Sequence, residues 1–130
     1  MAGLMTELGY PTTAAEMQTR FETLSTKPDY AIWLAEYEGE VAGMIGLIHQ
    51  YYFEKNGTYI RVATMVTGAP FRNKGIGKLL MRKADEWAAE TGAQQIILNS
   101  AQRDERKVAY AFYQKLGFEI KTSGFVKTVI

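Results

Sequence analysis

Arg72-Asn73-Lys74-Gly75-Ile76-Gly77 constrains the fold of this chain more than any other stretch, because it stands where an extended segment gives way to a helical one. Before it, Thr58 to about Thr67 is rich in β-branched and aromatic residues and reads as a strand. Gly68-Ala69-Pro70 ends that strand, since Pro lacks a ladder donor. After it, Ile76, Leu79, Leu80, Ala84, Trp87 and Ala88 recur at helical spacing, with Gly92 placed to cap the helix. Gln95 to Asn99 is a short apolar strand. Strand, glycine turn, helix and strand make a βαβ unit, so the two strands should be parallel neighbours joined by a right-handed crossover.

The turn itself has the chemistry of an anion site. The first N–H groups of a helix lack intrahelical partners, and the positive end of the helix dipole lies there too. Gly75 and Gly77 let the backbone turn sharply and a ligand approach closely, while Arg72, Lys74 and Lys78 add charge. Other phosphate motifs fit poorly. A Walker loop needs a glycine where Arg72 stands and a hydroxyl where Leu79 stands, and a dinucleotide fingerprint needs a third glycine where Leu80 stands.

The rest of the chain frames this unit. Residues 2–8 read as the end of a short helix, and Thr13-Ala14-Ala15-Glu16 as a capping box opening a second one with Met17, Phe21 and Leu24 on one face. Ala31 to Glu38 and Val41 to about Phe53 read as strands joined by the turn Glu38-Gly39-Glu40, and Asn56-Gly57 reads as a second hairpin turn. A last helix is expected from about Asp104 to Leu116, capped by Gly117, with strands over Phe118 to Lys121 and Phe125 to Val129.

With 130 residues, no linker and no repeat, the chain reads as a single domain over 1–130. Its net charge of +1, spread along the sequence, excludes a general nucleic-acid binder. The absence of cysteine removes thiolate metal sites, disulfides and cysteine nucleophiles, and the lone His49 removes a multi-histidine metal site. No leader or membrane-length apolar run is visible, so the expectation is a cytoplasmic protein with no membrane partner.

Taken together, the elements and motifs resemble the GCN5-related N-acetyltransferase (GNAT) superfamily over about residues 4–121. Arg72 to Gly77 is similar to that family's R/Q-x-x-G-x-G/A pyrophosphate loop. Ala109-Tyr110-Ala111-Phe112-Tyr113-Gln114-Lys115-Leu116-Gly117-Phe118 is similar to its A-x-x-F-Y-x-K-x-G-F signature. The resemblance implies an α/β fold with a mixed sheet of about six strands, antiparallel at its N-terminal side, a parallel βαβ pair splayed at the cofactor site, and about four helices on both faces. Members of that family usually begin with a strand before the first helix, and none is read here; truncation would account for this, as would another subunit covering the open edge, as in a homodimer.

The resemblance also implies acetyl-CoA as cosubstrate and a primary amine, on a small molecule or a protein, as acceptor. Met65, Val66 and Thr67 would carry the pantetheine arm, and Arg72, Asn73, Lys74, Gly75, Ile76, Gly77 and Lys78 the pyrophosphate. Asn99 and Arg106 fall at further cofactor positions, and Tyr113 at that of the acid protonating the departing thiolate. No metal is implied. A protonated amine must lose its proton before attack, yet Asn99 and Arg61 stand where relatives commonly have an acidic residue, which leaves His49, Glu36, Glu54 or a water chain as the base. The competing reading is a catalytically weak CoA-binding or sensory module. Leu8 to Thr13 and Tyr51-Tyr52-Phe53-Glu54 are expected at the acceptor site, the latter equally suiting a dimer surface.

Overall fold

In the computed structural model, which describes residues 13–98, 112, 114–118 and 127–128, the first helix is α1 (Ala14–Ser25). Thr13 Oγ1 accepts the Glu16 N–H at 3.1 Å, and the Thr13 hydroxyl donates to the Glu16 carboxylate at 3.1 Å. The Thr13 half of the expected capping box is therefore present, while the Glu16 carboxylate meets the Thr13 hydroxyl rather than its backbone N–H and lies favourably in the first turn of the helix dipole. Met17 is buried, and Phe21 and Leu24 are half-buried.

Four strands follow, β1 (Tyr30–Tyr37), β2 (Glu40–Tyr51), β3 (Thr58–Thr67) and β4 (Gln95–Leu98), with α2 (Ile76–Thr91) between the last two. They form a mixed sheet in the order β1-β2-β3-β4, in which the first two pairings are antiparallel and β3 with β4 is parallel. The expected βαβ unit is thus in place. Glu38 and Gly39 join β1 to β2 with φ of 51° and 81°, the doubly left-handed turn that matches the twist of a hairpin. Asn56-Gly57 does not repeat this: among these two only Gly57 has positive φ (113°), and residues 52–57 form a longer loop closed by Tyr52 N–H on Gly57 O at 3.3 Å.

Both long pairings contain one extra residue. Ala35 faces Gly43 while Glu36 faces Val41, so Ala42 is inserted in β2; Gly46 faces Thr64 while Leu47 faces Val62, so Ala63 is inserted in β3. Such bulges bend a strand and raise its twist. The second lies between the part of β3 paired with β4 and the part carrying Met65 to Thr67.

Helix α2 covers one face of the sheet with Ile76, Leu80, Met81 and Ala84 buried. Leu79, expected on that stripe, is 52% exposed instead. At ~100° per residue it points well away from the stripe, whereas Met81 falls inside it. Burying each large side chain of this set stabilises the fold by ~1.5–3 kcal/mol. Gly43 makes the close contact possible, because a Cβ there would lie 2.9 Å from both Ile76 Cγ2 and the Val66 carbonyl oxygen.

The chain divides into two compact units, residues 1–98 and 99–130. In the second, Phe112, Gln114 and Lys115 are helical, and Gly117 has φ of 95° with its N–H on Gln114 O at 3.1 Å, which agrees with its expected capping role. Among the described residues there are four strands and two α-helices, in place of six and about four. The helix expected over residues 2–8 lies outside the described residues, as does most of the last helix. Of the two expected closing strands, only Phe118, Lys127 and Thr128 are described, and none of them is in strand conformation.

Candidate functional site

The end of β3, a short 3₁₀ turn (Ala69–Phe71) and the start of α2 build the candidate site from one continuous stretch of chain. Gly68 N–H donates to Ala42 O at 2.7 Å, tying the exit of β3 to the bulge of β2. Pro70 then occupies the 3₁₀ turn, where its missing N–H costs nothing, and Phe71 N–H returns to Gly68 O at 2.9 Å.

Beyond that turn the backbone alternates in hand. Asn73 has φ of 65° and Gly75 φ of 78°, on either side of Lys74. Asn is among the few non-glycine residues that tolerate this region, and such alternation turns successive N–H groups toward a concavity that suits an anion. Gly75 is the N-cap of α2 and offers no side-chain cap, and the first turn holds no acidic residue. Here α2 differs from α1, whose N-terminus is capped by Thr13 and neutralised by Glu16. The N–H groups of Ile76, Gly77 and Lys78 are first-turn donors, while Leu79 N–H makes the first intrahelical bond, to Gly75 O at 3.1 Å.

Charge follows the same pattern. Arg72, Lys74 and Lys78 are exposed, and among the described residues none of them has a carboxylate within 4.0 Å; the ion pair seen on α2 is Lys83–Glu86 at 3.3 Å. Uncapped donors, the helix dipole and three unneutralised cations therefore converge on one turn. Within it Ile76 contributes differently from its neighbours: its side chain is buried against Gly43, so only its backbone N–H faces a ligand.

Met65 and Thr67 are half-buried and Val66 is buried, paired to Ile45, Gly43 and Met44 of β2 respectively. The described pairing of β3 to β4 runs from Tyr59–Gln95 to Val62–Leu98 and lies on the other side of the Ala63 bulge from these three residues. Asn99, Arg106 and Tyr113 lie outside the described residues.

The base candidates are scattered. Arg61 is exposed on β3 opposite Ile48 and Ile97. His49 is half-buried, with ring centroids 6.0 Å from both Trp87 and Tyr51, and its buried Nε2 has no hydrogen-bond partner among the described residues. Trp87 meets Trp33 edge-on at 6.1 Å, so His49 belongs to an aromatic cluster under the C-terminal half of α2. Glu36 is exposed near the start of the β1–β2 hairpin, and Glu54 is exposed in the loop 52–57 at the opposite end of β2. Phe53 in that loop and Tyr51 at the end of β2 are strongly exposed, at the other end of the β2–β3 hairpin from the glycine turn. Tyr52 in the same loop donates to Gln95 Oε1 at 2.5 Å, and its phenol is pushed up in pKa by burial first, then by the Glu54 carboxylate and Tyr59.

Gly43, Ala42, Ala63 and Tyr37 were not singled out by the sequence. Tyr37 closes β1 with its ring 6.0 Å from that of Phe71 and 5.2 Å from Lys74 Nζ. An aromatic residue at a strand end carries no local sign of these contacts, which arise only when the hairpin and the loop after β3 meet.

Comparison with known proteins gives a consistent result. The profile of the acetyltransferase (GNAT) family matches residues 3–118. An uncharacterized N-acetyltransferase of Bacillus subtilis is 32% identical over 99% of this chain and 87% of its own length. An aminoalkylphosphonate N-acetyltransferase of Salmonella typhimurium is 29% identical over 78% of this chain and 65% of its own. Among solved structures, a GNAT family acetyltransferase of Staphylococcus aureus superposes with a TM-score of 0.83 at 30% identity, covering 98% of this chain and 86% of that one.

Proposed function

The chain belongs to the GNAT family of acetyltransferases, and on that premise we propose that it is a single-domain enzyme moving acetyl from acetyl-CoA to a primary amine by direct attack. The observation that carries the reading is the start of α2, where an uncapped helix N-terminus without acidic residues meets Arg72, Lys74 and Lys78. A pyrophosphate fits that chemistry through the N–H groups of the turn and its three cations. The pantetheine arm would run along Met65, Val66 and Thr67, where β3 would splay from its parallel neighbour, and Asn99 and Arg106 would complete the cofactor contacts.

In the reaction the amine nitrogen forms a bond to the thioester carbonyl carbon as the carbon–sulfur bond breaks. The amine proton passes to a base or to water. Tyr113 supplies a proton to the departing thiolate; a phenol of pKa ~10 is protonated at neutral pH and can donate to a thiol group of pKa ~8.5. No covalent enzyme intermediate is required, which accords with a chain that contains no cysteine. The acceptor class proposed is a small amine, in keeping with the aminoalkylphosphonate named for the Salmonella relative.

A second reading, a CoA-binding module with weak chemistry, is favoured by the exposed cation Arg61 on β3 where an acid would serve as base. One assay separates the two. Release of free CoA thiol from acetyl-CoA should depend on an added amine from a panel of aminoalkylphosphonates, amino sugars and polyamines. Binding of acetyl-CoA without amine-dependent release would leave the binding module standing, and thermal protection by ATP but not by CoA would remove both.

A further inference from the structure

We infer that Tyr37 is a positioning residue for the cofactor turn, holding Lys74 over its ring so that the lysine charge stays available for phosphate; this rests on the acetyl-CoA reading above. Tyr37 is the last residue of β1 and shares with Ala35 the face that carries α2, because Ala35 lies opposite Gly43. The left-handed turn at Glu38 and Gly39 stops the strand there, so the ring stands at the rim of the sheet beside the loop that follows β3. Phe71 meets it edge-on at 6.0 Å and 63°, fixing the ring from the side of the 3₁₀ turn. Lys74 Nζ lies 5.2 Å from the ring centroid, within the range of a cation–π contact.

The placement matters because of what else lines the same cleft. Tyr37, Glu38, Glu40, Pro70, Phe71 and Lys74 surround a space of about 350 Å3. Glu38 and Glu40 thus line the same cleft as the lysine, yet no carboxylate oxygen among the described residues lies within 4.0 Å of Nζ. An ion pair with Glu38 or Glu40 would neutralise the charge and draw it off the turn. The π face holds the ammonium from one side and leaves its N–H groups free for a phosphate, so Lys74 is kept near its ligand position without being consumed by a permanent partner. Tyr37 therefore acts through Lys74.

The test is a double-substitution cycle read by acetyl-CoA binding and by steady-state kinetics. Tyr37→Leu should weaken acetyl-CoA binding about two- to five-fold, the range that an exposed cation–π contact supplies, and should raise KM for acetyl-CoA more than it lowers kcat. Tyr37→Phe, which keeps the ring, should restore the affinity. Lys74→Gln combined with Tyr37→Leu should bind no worse than Lys74→Gln alone. If the two losses multiply, or if Tyr37→Leu binds as the parent does, Tyr37 does not act through Lys74. A readout on the parent guards against a misfolded variant: the Lys74 methylene protons should be shifted upfield in NMR spectra by the Tyr37 ring and stay shifted on adding CoA, and unshifted resonances would overturn the inference. A parent that binds CoA but fails the cycle refutes the role of Tyr37 alone, whereas a parent that binds no CoA refutes the cofactor reading as well.

Discussion

Gly43 and Ile76 are in contact across the sheet–helix interface so closely that a Cβ on Gly43 would stand 2.9 Å from Ile76 Cγ2. The same Cβ would stand 2.9 Å from the Val66 carbonyl oxygen, which belongs to the backbone and cannot swing aside. Because Ile76 opens α2, the glycine on β2 sets the depth at which the N-terminus of that helix is seated. Gly43→Ala should destabilise the protein by ~1–3 kcal/mol, the usual cost of overpacking a dense core, and should weaken acetyl-CoA binding by lifting the first turn. Urea unfolding and a CoA titration on the same variant check both parts, and an unchanged midpoint would show that the core absorbs the methyl elsewhere.

Gly75 separates two effects that are usually confounded. A Cβ there meets nothing within 4 Å, so any cost arises from its φ of 78° and not from a clash. Gly75→Ala should lose ~1–2 kcal/mol of stability, as expected for a non-glycine residue held in the left-handed region, while Gly75→Asn should lose less because Asn tolerates that region. Thermal melts of the pair would test this order. Equal losses would mean that the turn relaxes out of its left-handed conformation when a side chain is added.

The parts of the fold legible in the sequence were those with a local cause. Thr13 caps α1 through its own side chain, Gly92 stops α2 with φ of 75°, and Glu38-Gly39 turns the chain within two residues. Asn56-Gly57 marked the β2–β3 hairpin but not the form of its turn, for an instructive reason. Pairing of β2 with β3 ends at Tyr51–Thr58, and Tyr52 is drawn to Gln95 and Tyr59, so tertiary contacts stretch the connection into a six-residue loop. The Ala42 and Ala63 bulges, Gly43 under Ile76 and Lys74 over Tyr37 each depend on two segments distant in sequence, and no periodicity or turn motif encodes them. The glycine turn was legible as a candidate anion site, and the structure adds that the helix it opens has no side-chain cap.

Tyr52 should make alkaline stability sensitive to pH. Burial, then Glu54, then Tyr59 raise its pKa in the folded state, so the folded protein holds the phenolic proton more tightly than the unfolded chain. The associated stability is fully present below the unfolded tyrosine value of ~10 and is lost as pH climbs from there through the folded value. Ultraviolet difference titration of the parent against Tyr52→Phe should show the loss of one late-titrating phenol. Superimposable curves apart from a uniform loss of one phenol would contradict the assignment.

Tyr113→Phe provides the sharpest test of the proposed chemistry, since it removes one hydroxyl and leaves a ring of the same shape. If the hydroxyl protonates the departing thiolate, kcat should fall by ~10²-fold, the low end for a general acid because a thiolate already leaves readily. Affinity for CoA should change little, as the role asked of the hydroxyl is confined to the transition state. Three results are distinguishable. A fall in kcat with CoA affinity retained supports the acid role, a parallel loss of affinity marks Tyr113 as a binding or packing residue, and unchanged turnover removes it from the mechanism. Raising the leaving-group acidity sharpens the comparison, because an acyl donor whose thiolate needs no proton should be used almost equally by the parent and by Tyr113→Phe if proton delivery is the whole of its role.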